Sequence, residues 1–306
     1  MTDRMQRTDL AVELQENLED KEILSGVRVS TRVNEDNDIK ETRIVIDSEE
    51  GSVKFGKPIG TYITIESEEL RLCDEDYHVP MSQALCGHLR KMIGTSRRIL
   101  VAGLGNRAVT PDALGPYVVD NLYITRHLLQ EELIHTGYEI SALAPGVMAQ
   151  TGMESQELLQ AVVREMKPDL MIVIDALAAM NSDRLNKTIQ LSDSGIAPGS
   201  GVGNHRKAIT EESMGVKVIA IGVPTVISVP AIIEDAMDVM LAAFGRSGMR
   251  EAVEELTDQE RYELAGEMLK PYLAKMYVTP KNIDEAVKRI SYTISEAINQ
   301  LHHSYI

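Results

Sequence analysis

Within the first eighty residues, after an acidic opening to Ser25, three segments read as strands, the first alternating apolar and polar positions, and beyond them the rhythm changes. Residues 27–33 (Val-Arg-Val-Ser-Thr-Arg-Val) alternate as a half-solvated antiparallel strand does, and 43–46 and 60–65 read as further strands. From Pro80 onward helix-like stretches separate further strand-like segments, at 99–102, 138–143, 170–174, 187–191 and 217–221. That rhythm predicts an α/β fold, a doubly wound and mostly parallel sheet with an N-terminal antiparallel β extension. The last fifty residues read as helices broken near Pro280, with an amphipathic stretch over 283–301. The expected organisation is a β-rich part over 10–80 and an α/β core with C-terminal helices over 81–306, without internal repeats.

The run from Arg98 to Pro116 carries the first candidate chemistry. A short buried strand, 99–102, meets Gly103 and Gly105, and a helix start follows, with Thr110 as N-cap, Pro111 at the first helical position and Asp112 in the first turn. An acid there stands at the carboxyl end of a strand, where open α/β sheets keep their ligand crevices. The helix dipole alone favours such an acid by about 0.3–1 kcal/mol, so a purely structural Asp112 stays open. Gly103, Gly105 and Ala108 also fit G-x-G-x-x-A. A dinucleotide site wants its helix at once and an acid after the next strand. Here 106–110 intervene, and strand 138–143 runs into Ala144-Pro-Gly146 with no acid. A Rossmann-like ligand-binding module is therefore an alternative reading only.

A second acid strengthens the first. The apolar run 170–174 ends on Asp175, 63 residues beyond Asp112. Two such aspartates meet across one crevice if their strands are neighbours. Close carboxylates cannot both ionise, so the pair shares a proton, one member activating water while the other protonates a leaving amine. Capping of a helix after Asp175 is the competing role.

Composition narrows the classes. A chain of 306 residues with 43% hydrophobic content has ample core material, and with no Trp and two Phe that core is aliphatic and Met-built. Few aromatics and a formal charge of −16 disfavour direct nucleic-acid or anionic-membrane contact. Cys73 and Cys86 show no zinc or redox spacing and read as free thiols of a reducing compartment. The N-terminus lacks the apolar core of a signal peptide. The most hydrophobic window, 216–233, holds Lys217, Pro224 and Pro230 and reads as strand, loop and helix start rather than a membrane span.

Loops at the strand ends supply candidate groove residues: Asn106, Pro145, Gly146 and Thr225, each also explicable as turn chemistry. The Gly-rich loop 197–206 lacks a phosphate-cradling pattern and reads as a surface loop or a flap over a groove. His205 within it has no evident role, and His302 and His303 fall at a tail expected to fray.

Taken together, Gly103-Leu-Gly-Asn106, Thr110-Pro-Asp-Ala-Leu-Gly-Pro116, Ala144-Pro-Gly-Val-Met-Ala-Gln-Thr-Gly152, Asp175-Ala-Leu-Ala178, Ile221-Gly-Val-Pro-Thr-Val226 and Tyr277-Val-Thr-Pro-Lys-Asn-Ile-Asp284 resemble the germination proteases of spore-forming bacteria. These are endopeptidases that degrade small acid-soluble spore proteins. The resemblance implies an unusual aspartic protease with Asp112 and Asp175 catalytic, no cofactor or metal, a homotetrameric assembly and a cytoplasmic place in the spore core. It also implies the hydrogenase-maturation-peptidase fold. A metal-dependent peptidase of that type is the enzymatic alternative, although no His matches that family's metal ligand. The stretch Thr8-Asp-Leu-Ala-Val-Glu13 resembles the family's own cleavage motif, Thr-Glu, then Ile or Phe, then Ala-Ser-Glu, departing from it at Asp9 and Val12. By resemblance the chain is a zymogen cut between Asp9 and Leu10, residues 1–9 being a propeptide that obstructs the groove.

Overall fold

The apolar runs become the centre of a single sheet. The computed structural model describes residues 8–16, 25–71, 78–134, 137–202, 206–244 and 272–302. Residues 1–7 of the expected propeptide, Cys73, His205 and His303 lie outside them. The strands are β1 (Val27–Asn34), β2 (Ile39–Ile46), β3 (Gly60–Glu66), β4 (Arg98–Gly103), β5 (Glu139–Leu143), β6 (Leu170–Ala179), β7 (Thr188–Ser192), β8 (Lys217–Ser228) and β9 (Tyr277–Val278). Their spatial order is β1-β2-β3-β7-β8-β6-β4-β5, with β9 on the end of β8. Strands β8, β6, β4 and β5 run parallel, and the pairings from β1 through β7 to β8 are antiparallel. The α/β class, the parallel core and the antiparallel N-terminal strands all match the sequence reading. Strand β7 joins the antiparallel half, so the sheet is mixed and runs unbroken from β3 through β7 into the core.

Helices cover both faces. On one face α3 (His78–Ile93), α4 (Leu114–Asp120) and the C-terminal α10 (Ile283–Asn299) bury Leu85, Leu89, Val118, Val287, Ile290 and Ile294 against alternate residues of the sheet such as Ile172, Ile174, Ile219 and Ile221. On the other face α7 (Ser155–Met166) and α8 (Glu211–Met214) cover Leu100, Met171, Val173 and Val218. The antiparallel half of that face is covered by α1 (Ala11–Glu16), whose Ala11 and Leu14 pack on Ile44, Ile46, Tyr62 and on Phe55 of α2 (Glu49–Phe55). Period two in the strands sorts each side chain to one face or the other.

Three local expectations change. Strand β6 continues through Asp175 to Ala179, and β8 continues through Pro224 to Ser228. A register shift between Leu177 and Ala178 lets the pairing pass Pro224, and a bulge is where a strand tolerates proline. Asp175 therefore lies inside a strand and caps no helix. Thr110 is not an N-cap: Thr110–Asp112 forms a 3-10 turn after Val109, and α4 begins at Leu114 without a side-chain cap. Strand β1 is an edge with both faces open, so Val29 and Val33 are exposed instead of half-buried. No helix among the described residues is long and apolar enough to cross a membrane.

Gly103 and Gly115 bring β4 and α4 into backbone contact. A Cβ on Gly115 would stand 2.3 Å from the Leu104 carbonyl oxygen and 2.5 Å from its nitrogen, atoms that cannot yield. Gly115→Ala is expected to lower stability by about 1–3 kcal/mol through forced separation of α4 from the sheet. In chemical denaturation Gly87→Ala serves as control. It sits in α3 with nothing within 4 Å of a new Cβ, and should stabilise by up to about 1 kcal/mol.

Candidate active site

Asp175 occupies the middle of β6 with 5% of its surface exposed. In register beside it, Gly222 of β8 pairs Gln190 of β7, so the three residues lie in one row across adjacent strands. Asp112 reaches the same cavity from the 3-10 turn after β4. Gly105, at φ +111°, turns the chain so closely beneath that a Cβ would lie 1.9 Å from the Asp112 carbonyl oxygen. The Asn106 N–H donates both to that carbonyl, at 2.9 Å, and to Asp112 Oδ2, at 2.8 Å. The turn is pinned from behind by Thr225, whose hydroxyl donates to the Pro111 carbonyl at 2.8 Å. Asp9, Arg206, Thr225 and Tyr277 line the cavity together with the two aspartates.

Electrostatics follow from this placement. Burial raises the Asp112 carboxyl above its ordinary range, opposed by the Asn106 N–H and the Arg206 charge. Burial raises Asp175 much further, and the charges of Asp112 and then Asp9 add to the effect. Asp112 thus makes the proton of Asp175 harder to lose, as expected of two acids in one poorly solvated cavity. Among the described residues no cluster of three or more His, Cys, Asp or Glu stands ready for a metal ion.

The chain's own residues 8–13 lie in this region, and every one of them is buried or nearly so. The Asp9 N–H donates to the Ala178 carbonyl at 3.2 Å, so the segment runs along the end of β6. The Asp9 carboxylate is received by neutral donors: the Ser200 hydroxyl at 2.5 Å, the Gly201 N–H at 3.0 Å and the Ala178 N–H at 3.1 Å. Only glycine fits at 201, where a Cβ would meet Asp9 Oδ2 at 2.4 Å. Leu10 enters an apolar pocket with Leu177, Leu185, Ile227 and Ala231. Glu13 is held in a second nest by the Met180 N–H at 2.9 Å, the Asn181 N–H at 2.9 Å and the Thr8 hydroxyl. Burial still pushes its carboxyl up, while the nearby Arg184, itself paired with Glu16 and Glu66, pulls it down.

Of the residues expected at the site, Asp112, Asp175, Asp9 and Thr225 share the cavity wall, and Leu10 is buried beside it. Thr225 serves by its bond to Pro111 rather than by an open hydroxyl. Asn106 contributes its backbone amide, since its side chain is spent on the Ala108 N–H at 3.0 Å and Gln150 at 2.8 Å. Pro145 and Gly146 stand outside the cavity lining; the Gly146 carbonyl accepts from Ser155, whose residue does line it. Sequence reading missed Lys57, Gln190, Ser200, Gly201 and Arg206. Gln190 left a trace, a polar residue on an otherwise buried strand, and Gly201 and Arg206 sat in the loop read as a surface loop or flap.

A mixed α/β sheet with two coupled, proton-holding carboxylates in one cavity is the architecture of a site for acid–base chemistry. Comparison with known proteins agrees with a hydrolytic use. A family profile described as germination protease, of the peptidase class, matches residues 5–255. The germination protease of Caldanaerobacter subterraneus subsp. tengcongensis is 44% identical, over 96% of this chain and 93% of that protein. Those of Clostridium perfringens and Bacillus cereus are 40% and 38% identical, each over 94% of its own length. The chain belongs to the germination protease family and is a peptidase. Among solved structures it is similar to a nickel–iron hydrogenase maturation protease from Thermococcus kodakarensis, at 17% identity and a TM-score of 0.36, covering 69% of this chain and 98% of that one.

The raised Asp175 carboxyl has a signed consequence for stability. Between the ordinary aspartate pKa, about 3.9, and its higher native value, the folded chain binds more protons than the unfolded one. Stability therefore falls as pH rises through that window and stays lower above it. Asp175→Asn, which has no charge to bury, is expected to melt above the wild type at pH 7, by roughly 2 °C for each kcal/mol regained. The difference should close as the pH drops below about 4. An unchanged or lower melting point at pH 7 would show that burial does not strain this group.

Proposed function

We propose that this chain is a sequence-specific endopeptidase of spore germination that degrades small acid-soluble spore proteins in the spore core. It is made as a zymogen that cuts itself between Asp9 and Leu10. The observation that carries this reading is the seat of residues 8–13, a cleavage-like motif held at the cavity wall of Asp112 and Asp175. In this mechanism the two carboxyls share one proton. Asp175, the more buried, keeps it; Asp112, less buried and bonded by the Asn106 amide, stays ionised and takes a proton from water as the water oxygen attacks the scissile carbonyl carbon. The tetrahedral adduct collapses, the C–N bond breaks, and the new amine receives the proton of Asp175. No acyl-enzyme forms.

Inhibition in the zymogen is steric: residues 8–13 hold the seat that a substrate motif would need. Cleavage removes Thr8 and Asp9, and with them the carboxylate nest at Ser200 and Gly201 and the Thr8 bond to Glu13, so residues 10–13 lose two anchors and exchange with substrate. The active form is taken to be a homotetramer, which light scattering tests. Elution as a monomer would remove that element alone.

Intact mass before and after mildly acidic incubation tests the reading. Wild type is expected to lose residues 1–9, while Asp112→Asn and Asp175→Asn stay whole, with rates at least about 10³-fold lower. Full processing by either variant would sink the pair. A chain begun at Leu10 is expected to cleave spore proteins at least tenfold faster than the intact chain, by the same seat-blocking logic. Equal rates would end the steric account. Cleavage that stops on thorough chelation would instead favour the metallopeptidase reading.

A further inference from the structure

Lys57 is a half-buried cation without a task in the two-aspartate scheme. It lies between α2 and β3, and its Nζ donates to the carbonyl oxygens of Thr8 at 3.4 Å and Asp9 at 3.1 Å. Among the described residues no carboxylate comes within ion-pair distance of it; Asp9 and Glu13 act on it only from further away. Burial pushes its ammonium toward the neutral form. Withdrawing a cation from water without a paired carboxylate is costly, so a place that keeps one asks for a use.

Gln190 faces the same oxygen. Its Nε2 donates to the Asp9 carbonyl at 3.1 Å, and its Oε1 accepts the Ala11 N–H at 2.7 Å. The amide therefore straddles the Asp9–Leu10 bond, one end on the carbonyl before it and the other on the N–H after Leu10. Gln190 stands in register with Gly222 and Asp175 on three neighbouring strands, with the Leu177 side chain lying over Gly222 between them. Two donors, one of them charged, thus converge on the oxygen of the peptide bond that the motif marks for cleavage.

We infer that Lys57 and Gln190 form the oxyanion-stabilising pair of this peptidase, holding the carbonyl oxygen of the scissile bond in its own chain and in its substrates. The inference rests on the endopeptidase reading above. When water adds to the Asp9 carbonyl carbon, the π electrons of C=O move to oxygen, which gains a full negative charge facing Lys57 Nζ and Gln190 Nε2. Those electrons return when C=O re-forms and the bond to the Leu10 nitrogen breaks; neither donor has to lose its proton. In a poorly solvated site a preset cation and amide at about 3 Å stabilise such charge far more than they stabilise the neutral carbonyl. The acidic residue before the bond and the cation beside it also divide the labour: neutral donors at Ser200, Gly201 and Ala178 read the carboxylate, leaving the Lys57 charge for the carbonyl.

The test is the first-order self-cleavage rate of the full chain, read beside hydrogen-exchange protection of the Leu10 and Ala11 amides. Lys57→Met and Gln190→Leu are each expected to slow cleavage by about 10²–10³-fold while protection of those amides persists, and Lys57→Arg to recover part of the rate. Lys57→Met removes a half-buried charge without loss of volume, so its melting point should hold or rise. If either variant cuts at the wild-type rate, or if the rate falls only in step with lost protection, the pair merely docks the segment and the inference is overturned. Asp112→Asn separates the two layers. Full activity there defeats the aspartate mechanism, whereas inactivity there with normal cleavage by Lys57→Met defeats the carbonyl clamp alone.

Discussion

A carboxyl group in the middle of a buried parallel strand is the constraint around which this molecule is arranged. Asp175 sits where its neighbours on β6 are Ile174 and Val173, among the most deeply buried positions of the chain. Water cannot solvate its charge there, so the carboxyl holds its proton well above the ordinary aspartate range. The rest of the site keeps that condition. Gly222 makes room beside it for the Leu177 side chain, whose Cδ1 lies 2.3 Å from where a Cβ would stand, and the turn at Asp112 delivers a second, better solvated acid. Thr225, bonded forward to Pro111 and accepting from Thr279 at 2.8 Å, ties that turn to β8 so the separation of the acids does not drift.

Recognition of residues 8–13 uses backbone amides where ion pairs might be expected. In a chain with 47 acidic and 31 basic residues, two acidic side chains, Asp9 and Glu13, are taken into nests of N–H groups and hydroxyls. Amides have fixed direction and no long-range field, so they accept a carboxylate of the right length without attracting anionic surfaces generally. Neither Arg184 nor Lys57 pairs with these two carboxylates: Arg184 pairs with Glu16 and Glu66, and Lys57 donates to the segment's own main-chain carbonyls. Helix α1 begins at Ala11, so the acids four positions apart are presented by an extended residue followed by a turn. That geometry explains why they reach separate nests at the two sides of the β6 end.

Legibility in the sequence followed the range of the interactions. The strands 99–102 and 170–174 were readable because burial on both faces writes continuous apolar runs, and that signal is local. Asp112 and Asp175 were readable because an acid interrupting such a run is costly unless used. The ends of β6 and β8 were not: Ala176 to Ala179 carries no strand signature of its own and Pro224 argues against one, yet the two strands extend each other past a bulge. Lys57, Gln190 and Ser200 were illegible for the same reason. They come from a turn, a strand and a loop separated by up to 143 positions, and only the sheet order β3-β7-β8-β6 brings them to one segment.

That order also settles why the antiparallel half exists at all. A parallel core alone would present Asp175 and Asp112 at a crevice open to water on the β8 side. Adding β7 antiparallel to β8, then β3, β2 and β1, extends the same surface outward and gives α1 an apolar floor of Ile44, Ile46 and Tyr62. The motif residues can then lie with one end at the acids and the other on that floor, their backbone gripped by Gln190 in between. The N-terminal strands are, in this sense, part of the seat that holds residues 8–13 rather than an appendage to the parallel core. Their sequence is correspondingly two-natured: β3 is buried along most of its length while β1, furthest from the segment, is left exposed.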